Sequence, residues 1–274
     1  MLFGIQNGTI PFGDTDMDYI RFGTGKKTLV MLPGLGDGLR TVRGMAFPLA
    51  LMYYRFCREY TVYSFSRTNQ LSEGVTTRDM ADNLARAMRF LEIERADVFG
   101  VSMGGMIAQH LAIDHPELVG KLILTVTAPC SNPIMEEAIG SWISFAEAGD
   151  HTRLMDSNLR LIYSDRYYRS SKWLIPMIGR MTKPRSYDRF LLMAQACRTH
   201  NTLEGLSRIQ SPTLIVAGGR DHCLGEEGSR TMASRIPGAV LKYYPEQGHG
   251  LYEEEKTFTG VILAFLKGEP IDVQ

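Results

Sequence analysis

The chain has 274 residues, with 30 basic and 30 acidic side chains, so its formal net charge is zero. A neutral chain has no overall positive field to attract nucleic-acid backbones or an anionic membrane, and we expect neither partner. Its length suits one α/β domain that carries an insertion.

The cysteines are widely and irregularly spaced, at Cys57, Cys130, Cys197 and Cys223. Without a C-x-x-C pair or a metal-ligand cluster, they are typical of reduced, mostly buried thiols in a cytoplasmic protein that binds no metal. The N-terminal residues lack the charged and apolar regions of a secretion signal, and no later run has membrane-spanning length. The sequence therefore predicts a soluble protein that is not secreted.

Two turn signals divide the first thirty residues. Asn7-Gly8 is typical of a β-hairpin turn, and a second turn is expected at Gly23 to Lys27. This region is therefore predicted to form antiparallel strands at one edge of a sheet. The continuous apolar run Thr28 to Leu32 then indicates a strand buried on both faces. A glycine-rich loop, Gly34 to Gly38, follows it.

Strand and helix patterns alternate from there. Met45 to Tyr60 is predicted to be a helix with Pro48 in its first turn, and Thr61 to Phe65 is predicted to be a strand. Thr76 to Asp79 resembles a capping box, and apolar residues at helical spacing follow it. Lys121 to Val126 is a further predicted strand. Such alternation is typical of a mostly parallel sheet with helices on both faces.

The short strand pattern Ala96 to Phe99 leads into Gly100-Val101-Ser102-Met103-Gly104, and a helix pattern follows. A Gly-x-Ser-x-Gly between a strand and a helix is typical of a nucleophile elbow, in which a strained turn exposes the serine hydroxyl. Side chains at Gly100 and Gly104 would collide where strand and helix come closest. Ser102 is therefore the candidate nucleophile.

The alternation stops at about Pro129 and resumes after Gly205. Between these residues the apolar positions recur at helical spacing, and no segment has the pattern of a buried strand. We therefore predict a helical insertion over residues 129–205. Strands are then predicted at Thr213 to Ala217 and Val240 to Tyr244, with helices near Glu226 to Arg235 and Glu255 to Leu266.

A serine hydroxyl becomes a nucleophile at neutral pH only with a base and a group that orients the base. Asp221 follows the predicted strand that ends at Ala217, and His249 follows the strand that ends at Tyr244. Loops at the carboxyl ends of parallel strands meet at one sheet edge, from which the elbow also projects. Asp221 and His249 are therefore the predicted partners of Ser102.

Together these motifs make the chain resemble the α/β-hydrolase fold superfamily. The resemblance rests on Pro33 to Gly36, the elbow, Gly218 to Asp221 and Gly248 to Gly250, and it covers nearly the whole chain. It implies a mostly parallel sheet of the eight-stranded type with helices on both faces. Residues 1–128 and 206–274 would form the core, and residues 129–205 a helical cap.

The resemblance also implies a role for each site residue. Ser102 would be the nucleophile, His249 the general acid and base, and Asp221 the carboxylate that orients the imidazole and stabilises its charged form. The backbone N–H groups of Leu35 and Met103 would form the oxyanion hole. No cofactor and no metal ion would be required.

Other residues compete for two of these roles. Glu226 or Glu227 could replace Asp221, whereas Thr125 to Thr127 offers no carboxylate at the other position used in this fold. Five other histidines compete with His249, although each is more typical of a surface or packing position. These histidines are His110, His115, His151, His200 and His222.

Two segments depart from the pattern of the superfamily. Many members have His-Gly after the third strand, where this chain has Pro33-Gly34, so the internal hydrogen bonding of this loop is left open. An Asp-x-Arg-Gly-x-Gly after the next strand is replaced by Ser66 to Gln70. The pocket wall at that segment therefore cannot be inferred from the resemblance.

The insertion is strongly basic: between residues 151 and 200 it has ten lysines and arginines and three aspartates. Such charges are typical of a solvated face. One or two of the arginines could instead reach inward and bind a substrate carboxylate, which a guanidinium fork fits well. The aromatic and methionine side chains of the insertion are more typical of a small core within the cap than of substrate contacts.

The sequence therefore predicts a serine hydrolase that cleaves a small carboxylic ester or lactone through an acyl-enzyme, without a cofactor. The same triad would serve C–C bond hydrolysis or cofactor-free perhydrolysis, which similar families perform. A third alternative is a ligand-sensing protein that keeps the triad but signals through its cap. Neither the natural substrate nor the oligomeric state follows from the sequence.

Overall fold

A computed structural model of the chain describes residues 4–272. Met1 to Phe3 and the last two residues lie outside the described part. The expectation that the N-terminal segment has no secretion signal falls partly on these first three residues. The described chain forms one eight-stranded sheet in the spatial order β1-β2-β4-β3-β5-β6-β7-β8. The strands are β1 Gln6–Phe12, β2 Thr15–Phe22, β3 Lys27–Leu32, β4 Tyr60–Thr68, β5 Ala96–Val101, β6 Val119–Thr125, β7 Thr213–Gly218 and β8 Val240–Tyr244.

Helices follow most of the strands from β3 onward. Within residues 4–272 none of these helices has both the length and the apolar character needed to cross a membrane. They are α1 Ala46–Met52, α2 Thr77–Phe90, α3 Met103–Asp114, α4 Pro133–Glu147, α5 His151–Ile162, α6 Asp165–Ser171, α7 Ile175–Thr182, α8 Asp188–Arg198, α9 Glu227–Arg235, α10 Leu251–Glu254 and α11 Phe258–Lys267.

The sheet is mostly parallel. The pairings of β4 with β3 and onward to β8 are all parallel, whereas β1 with β2 and β2 with β4 are antiparallel. Alternate residues of a strand enter different hydrophobic cores, with Val30 and Val98 on one face and Leu29 and Phe99 on the other. Because helices cover both faces, the strands have continuous apolar sequences. The predicted α/β architecture is confirmed.

The prediction of a turn at Asn7-Gly8 is wrong, although the antiparallel strands do lie at the sheet edge as expected. Both residues lie inside β1, where Gly8 pairs with Tyr19. The chain reverses instead at Gly13, whose φ of +68° suits a glycine. Gly8 is required for packing, because a Cβ there would lie 2.3 Å from the Tyr19 ring.

Two predicted helices are shorter than their apolar patterns. After α1 the chain continues in turns that bury Tyr53 and Phe56 against the sheet. Periodicity cannot separate such turns from a helix, because both bury apolar side chains. The predicted helix Glu255 to Leu266 begins later than expected, as α11 at Phe258, and a separate short helix, α10, precedes it. Between them the Glu255 carboxylate accepts hydrogen bonds from the N–H and the hydroxyl of Thr257, and this local side-chain pairing competes with a helical start at Glu255.

The insertion is helical, as expected, and we call α4 to α8 the cap helices. A β-bridge between Cys130 and Asn201 joins the two ends of the insertion. The expectation that its aromatic and methionine residues form a small core is wrong for Trp173, Met177 and Met181, which are 73%, 55% and 78% exposed. The division of the chain into a core and a cap stays a prediction.

Thr76 is the N-cap residue of α2. Its Oγ1 accepts the Asp79 N–H at 3.1 Å, and the Asp79 carboxylate accepts the Thr76 N–H at 2.8 Å, which confirms the predicted capping box. Because Thr76→Ala leaves the Asp79 N–H without its side-chain acceptor, we expect the free energy of unfolding to fall by about 1 kcal/mol. Urea denaturation measures this change. An unaltered midpoint and slope would contradict the capping role.

Candidate active site

Ser102 lies at the turn between β5 and α3. Its φ of 53° and ψ of −121° are strained for a residue other than glycine. Flanking glycines permit this turn: a Cβ at Gly100 would lie 2.5 Å from the Gly104 carbonyl oxygen, and one at Gly104 would lie 2.1 Å from the Leu32 carbonyl oxygen. The Thr127 hydroxyl also holds the turn, donating to the Ser102 carbonyl oxygen at 2.8 Å. The geometry is that of the predicted elbow.

Two backbone N–H groups begin helical turns beside Ser102. Met103 is the first residue of α3, and Leu35 is the first residue of the 3₁₀ turn Leu35–Gly38. First-turn N–H groups have no partner within their own helix. The loop before Leu35 also lies against the serine, because a Cβ at Gly34 would be 3.4 Å from Ser102 Cβ. This placement fits the two residues assigned to an oxyanion hole.

Asp221 and His249 come together from the loops after β7 and β8. Asp221 Oδ2 lies 2.8 Å from His249 Nδ1, and both side chains are buried. Asp221 Oδ1 accepts the backbone N–H groups of Cys223 at 2.8 Å and Leu224 at 2.9 Å. The carboxylate is therefore oriented through both of its oxygens, and the bond to Nδ1 leaves His249 Nε2 for proton exchange. His249 and Ser102 line the same cavity.

The competing acidic residues have different surroundings. Glu226 accepts a hydrogen bond from Arg230 at 3.0 Å and another from the Tyr243 hydroxyl. Glu227 is exposed in the first turn of α9. Neither has a hydrogen bond to His249 among the contacts of the described chain, whereas Asp221 does.

The competing histidines also lie elsewhere. His200 Nδ1 is 2.8 Å from the Thr77 hydroxyl, and burial lowers the pKa of this imidazole to about 3. His115 Nε2 pairs with Asp82 at 2.7 Å. His151 Nε2 is 3.1 Å from the Thr182 hydroxyl within the cap helices. These partners account for His200, His115 and His151 without a role at the elbow.

Three potential metal ligands do cluster in the described part of the chain. Ligand atoms of Asp221, Cys223 and His249 lie within 4.8 Å of one another. However, Asp221 and His249 already bond to each other, and burial raises the pKa of the Cys223 thiol well above its usual range. A protonated thiol is a poor metal ligand. The donor set therefore suits the orientation of an imidazole better than the binding of a metal.

The two segments that depart from the superfamily pattern contact each other. Arg67 Nη2 donates to the Pro33 carbonyl oxygen at 2.5 Å. Asp37, in the turn that follows Leu35, accepts the Ser66 hydroxyl at 2.6 Å and the Arg67 backbone N–H at 3.0 Å. The end of β4 therefore supplies the hydrogen bonds to the Pro33-Gly34 loop that the sequence left open. One departure compensates for the other.

Ser102 and His249 line a cavity of about 450 Å³. Its polar wall includes Arg40, Asn158 and Glu253. The Tyr163 hydroxyl donates to Glu253 Oε2 at 2.8 Å, and burial raises the pKa of the Glu253 carboxyl. The apolar wall combines residues of the sheet side and of the cap helices: Leu35, Val42, Met45, Leu49, Trp142 and Ile162.

The sequence did not predict the polar wall. The spacing of Glu253 could have indicated it, because Glu253 follows His249 by four residues and lies in the short helix α10, which keeps it near the imidazole. Asn158 and Arg40 had none, since a single polar residue in a helix or loop is ordinary. Of the basic residues in the insertion, Arg189 reaches inward but pairs with a protein carboxylate, Asp37, at 2.6 Å.

Comparison with known proteins identifies the family of the chain. A family model described as serine aminopeptidase, S33, matches residues 74–256, more than half of the chain. A 2-hydroxymuconate semialdehyde hydrolase of Pseudomonas sp. (strain CF600) is 28% identical over 193 residues, which are 68% of this chain and 66% of that relative.

Two solved structures have the same fold. An α/β-hydrolase enzyme, MGS-M2, from a Medee basin deep-sea metagenome library has a TM-score of 0.82 at 20% identity, covering 97% of this chain and all of that one. The enol-lactonase from Burkholderia xenovorans LB400 has a TM-score of 0.78 at 19% identity, covering 95% of this chain and all of that one. At these identities the likeness concerns the fold.

The short contact between Asp221 and His249 predicts a spectroscopic signal. A proton on His249 Nδ1, bonded to a buried carboxylate, should resonate downfield of the backbone amides in a proton NMR spectrum. Asp221→Ala should remove this resonance. Glu226→Gln, which alters the competing acid, is the matched control and should leave it in place. Persistence of the resonance in Asp221→Ala would contradict the assignment of Asp221.

Proposed function

This chain belongs to the α/β-hydrolase superfamily, and from that premise we propose that it is a serine hydrolase that cleaves a small carboxylic ester or lactone. The observation that carries the proposal is the buried Asp221–His249 hydrogen bond beside a cavity lined by a serine in an elbow conformation. We assign Ser102 as nucleophile, His249 as acid and base, and Asp221 as the orienting carboxylate.

The proposed reaction proceeds through an acyl-enzyme. Ser102 Oγ attacks the substrate carbonyl carbon while His249 Nε2 takes the hydroxyl proton. Negative charge develops on the carbonyl oxygen, which accepts hydrogen bonds from the N–H groups of Leu35 and Met103. The intermediate then expels the alcohol with a proton from His249. A water molecule then attacks the acyl carbon while His249 takes its proton. The second tetrahedral intermediate expels Ser102 Oγ, which regains that proton from His249, and the acid is released.

We place the substrate in the cavity of about 450 Å³, because this cavity is lined by Ser102. A larger groove of about 660 Å³ is lined by residues of α4 and α5, among them Arg153 and Arg160, and by Asp221, but not by Ser102. The volume of the smaller cavity and its apolar wall favour a small substrate with an apolar acyl or alcohol group.

We also propose a cytoplasmic location and no nucleic-acid or membrane partner. The boundaries between core and cap are likewise proposed.

C–C bond hydrolysis is the second candidate, because a relative bears the name of a 2-hydroxymuconate semialdehyde hydrolase. Turnover of a vinylogous diketone without hydrolysis of simple esters would favour it over the proposed esterase. A ligand-sensing protein would instead consume about one ligand per chain, without steady turnover. Perhydrolysis would require a peroxide co-substrate in the same assay.

Ser102→Ala tests the nucleophile. We expect wild-type protein to hydrolyse p-nitrophenyl acetate steadily and to gain the mass of one fluorophosphonate label at Ser102. In Ser102→Ala, loss of the attacking oxygen should lower kcat by about 10⁴-fold or more and prevent labelling. Wild-type protein that neither turns over acyl substrates of graded length nor accepts the label would contradict the proposed function.

Glu253 predicts a charge preference. As a carboxylate, Glu253 should favour a cationic ester, such as a choline ester, over the neutral ester in which a tert-butyl group replaces the trimethylammonium group. The expected preference is about five-fold in kcat/KM. The ratio should fall as the pH is lowered, because protonation removes the negative charge. Since partial desolvation raises the pKa of Glu253, the fall should begin at a higher pH than for a fully solvated glutamate.

Glu253→Gln should remove both the preference and its pH dependence, with kcat on the neutral ester little changed. Glu254→Gln is the matched control, because the adjacent Glu254 bonds Ser164 instead, at 2.6 Å. If the two substitutions change the ratio equally, Glu253 does not set the preference.

A further inference from the structure

Arg189, in the cap helix α8, makes an unusually dense set of contacts with the loop that carries Leu35. Its Nη2 lies 2.6 Å from Asp37 Oδ2, and its Nη1 donates to the Asp37 carbonyl oxygen. The same guanidinium donates to the carbonyl oxygens of Arg67 at 3.0 Å and Thr68 at 3.1 Å. One cap side chain thus joins the oxyanion loop to the end of β4.

The backbone of α8 also presses on this loop. A Cβ at Gly38, the last residue of the 3₁₀ turn, would lie 2.8 Å from the Phe190 Cα. Gly38 therefore allows α8 to approach more closely than any other residue would permit. This contact is independent of the Arg189 ion pair, and both act on the same four-residue turn.

Asp37 transmits these contacts to the Leu35 amide. Its side chain is completely buried, and its N–H closes the turn by donating to the Gly34 carbonyl oxygen at 3.2 Å. A buried carboxylate that loses a charged partner is strongly destabilised and is expected to move or to recruit water. Leu35 lies between Gly34 and Asp37 in one tight turn, so we expect a shift of Asp37 to change the direction of the Leu35 N–H.

The charges of this cluster hold the Asp37 carboxylate in place. Asp37 Oδ2 faces two guanidinium groups, that of Arg189 at 2.6 Å and that of Arg67 at 3.9 Å. The Arg67 side chain is 3% exposed and that of Arg189 is 14% exposed. One buried and one partly buried cation therefore hold the buried Asp37 carboxylate behind the turn that contains Leu35. Loss of either cation leaves this carboxylate less compensated, so the turn is no longer held in one position.

We infer that Arg189 is a positioning residue for the oxyanion hole, acting through Asp37 on the Leu35 N–H. The inference rests on the proposed serine hydrolase function and assigns the cap a part in the chemical step as well as in substrate choice. Because the oxyanion is absent from the bound substrate and forms only in the tetrahedral intermediate and the transition states beside it, loss of Arg189 lowers kcat with little effect on KM.

The test compares Arg189→Met with a matched control on the same helix. Arg198→Met removes another α8 arginine that pairs with a carboxylate at 2.6 Å, that of Glu136, but at the surface. We expect Arg189→Met to lower kcat for p-nitrophenyl acetate by about 10- to 100-fold, with KM within about three-fold. Arg198→Met should change kcat less than about two-fold. Arg189→Lys, which keeps the charge but not the fork, should recover part of the loss.

A second variant keeps the inference testable if Arg189→Met is unstable, and a double variant tests the coupling if Arg189→Met is stable. Asp37→Asn is nearly isosteric, so it should reproduce the loss of kcat while the protein remains folded by circular dichroism. The double variant Arg189→Met with Asp37→Asn should be no slower than the slower single variant, because both act through one contact. Additive losses would contradict the inference.

The outcomes separate this inference from the proposed function. If wild-type protein fails to turn over esters and to accept the fluorophosphonate, the proposed function is wrong. If wild-type protein is active and labelled at Ser102, but Arg189→Met and Asp37→Asn retain wild-type kcat, only the positioning role of Arg189 is wrong. A rise in KM with kcat unchanged would place Arg189 in substrate binding and would also overturn the inference.

Discussion

The candidate site depends on the close approach of three backbone segments at the elbow. The end of β3, the end of β5 and the first turn of α3 leave so little space that a Cβ at Gly104 would lie 2.1 Å from the Leu32 carbonyl oxygen. Ser102 has a φ of +53° in this turn, a strained value that persists only where the surrounding structure holds it. The same approach sets the Gly34 loop and the start of α3 beside the serine. The nucleophile and its neighbouring N–H groups are thus products of one packing contact.

Two buried carboxylates hold the loops at the carboxyl edge of the sheet. Asp221 accepts two backbone N–H groups as well as the His249 ring, and Asp37 accepts a backbone N–H, a hydroxyl and the Arg189 guanidinium. A buried carboxylate is tolerable only when hydrogen bonds replace its hydration. Each acid therefore orders the loop around it, and the imidazole is oriented from one side of the cavity while the Leu35 turn is held on the other.

Local patterns predicted much of this arrangement. Apolar runs such as Thr28 to Leu32 indicated the buried strands, and Gly-x-Ser-x-Gly indicated the elbow, because their causes lie within a few residues. The turn at Asn7-Gly8 was wrong because the requirement for Gly8 comes from Tyr19 across the hairpin. The pairing of Arg189 with Asp37 could not be predicted, since 152 residues separate them and nothing near either residue marks the other. Contacts of that kind depend on how the insertion folds over the sheet.

The way the insertion is attached has a consequence for how such proteins diversify. Its two ends meet at the β-bridge between Cys130 and Asn201, so in geometric terms a different helical segment could be joined there without disturbing the strands. The Arg189 guanidinium makes that exchange less simple, because a foreign segment would leave the buried Asp37 carboxylate without its nearer cation. Grafting experiments on this scaffold should therefore transplant a cap together with the Leu35–Gly38 turn that it contacts.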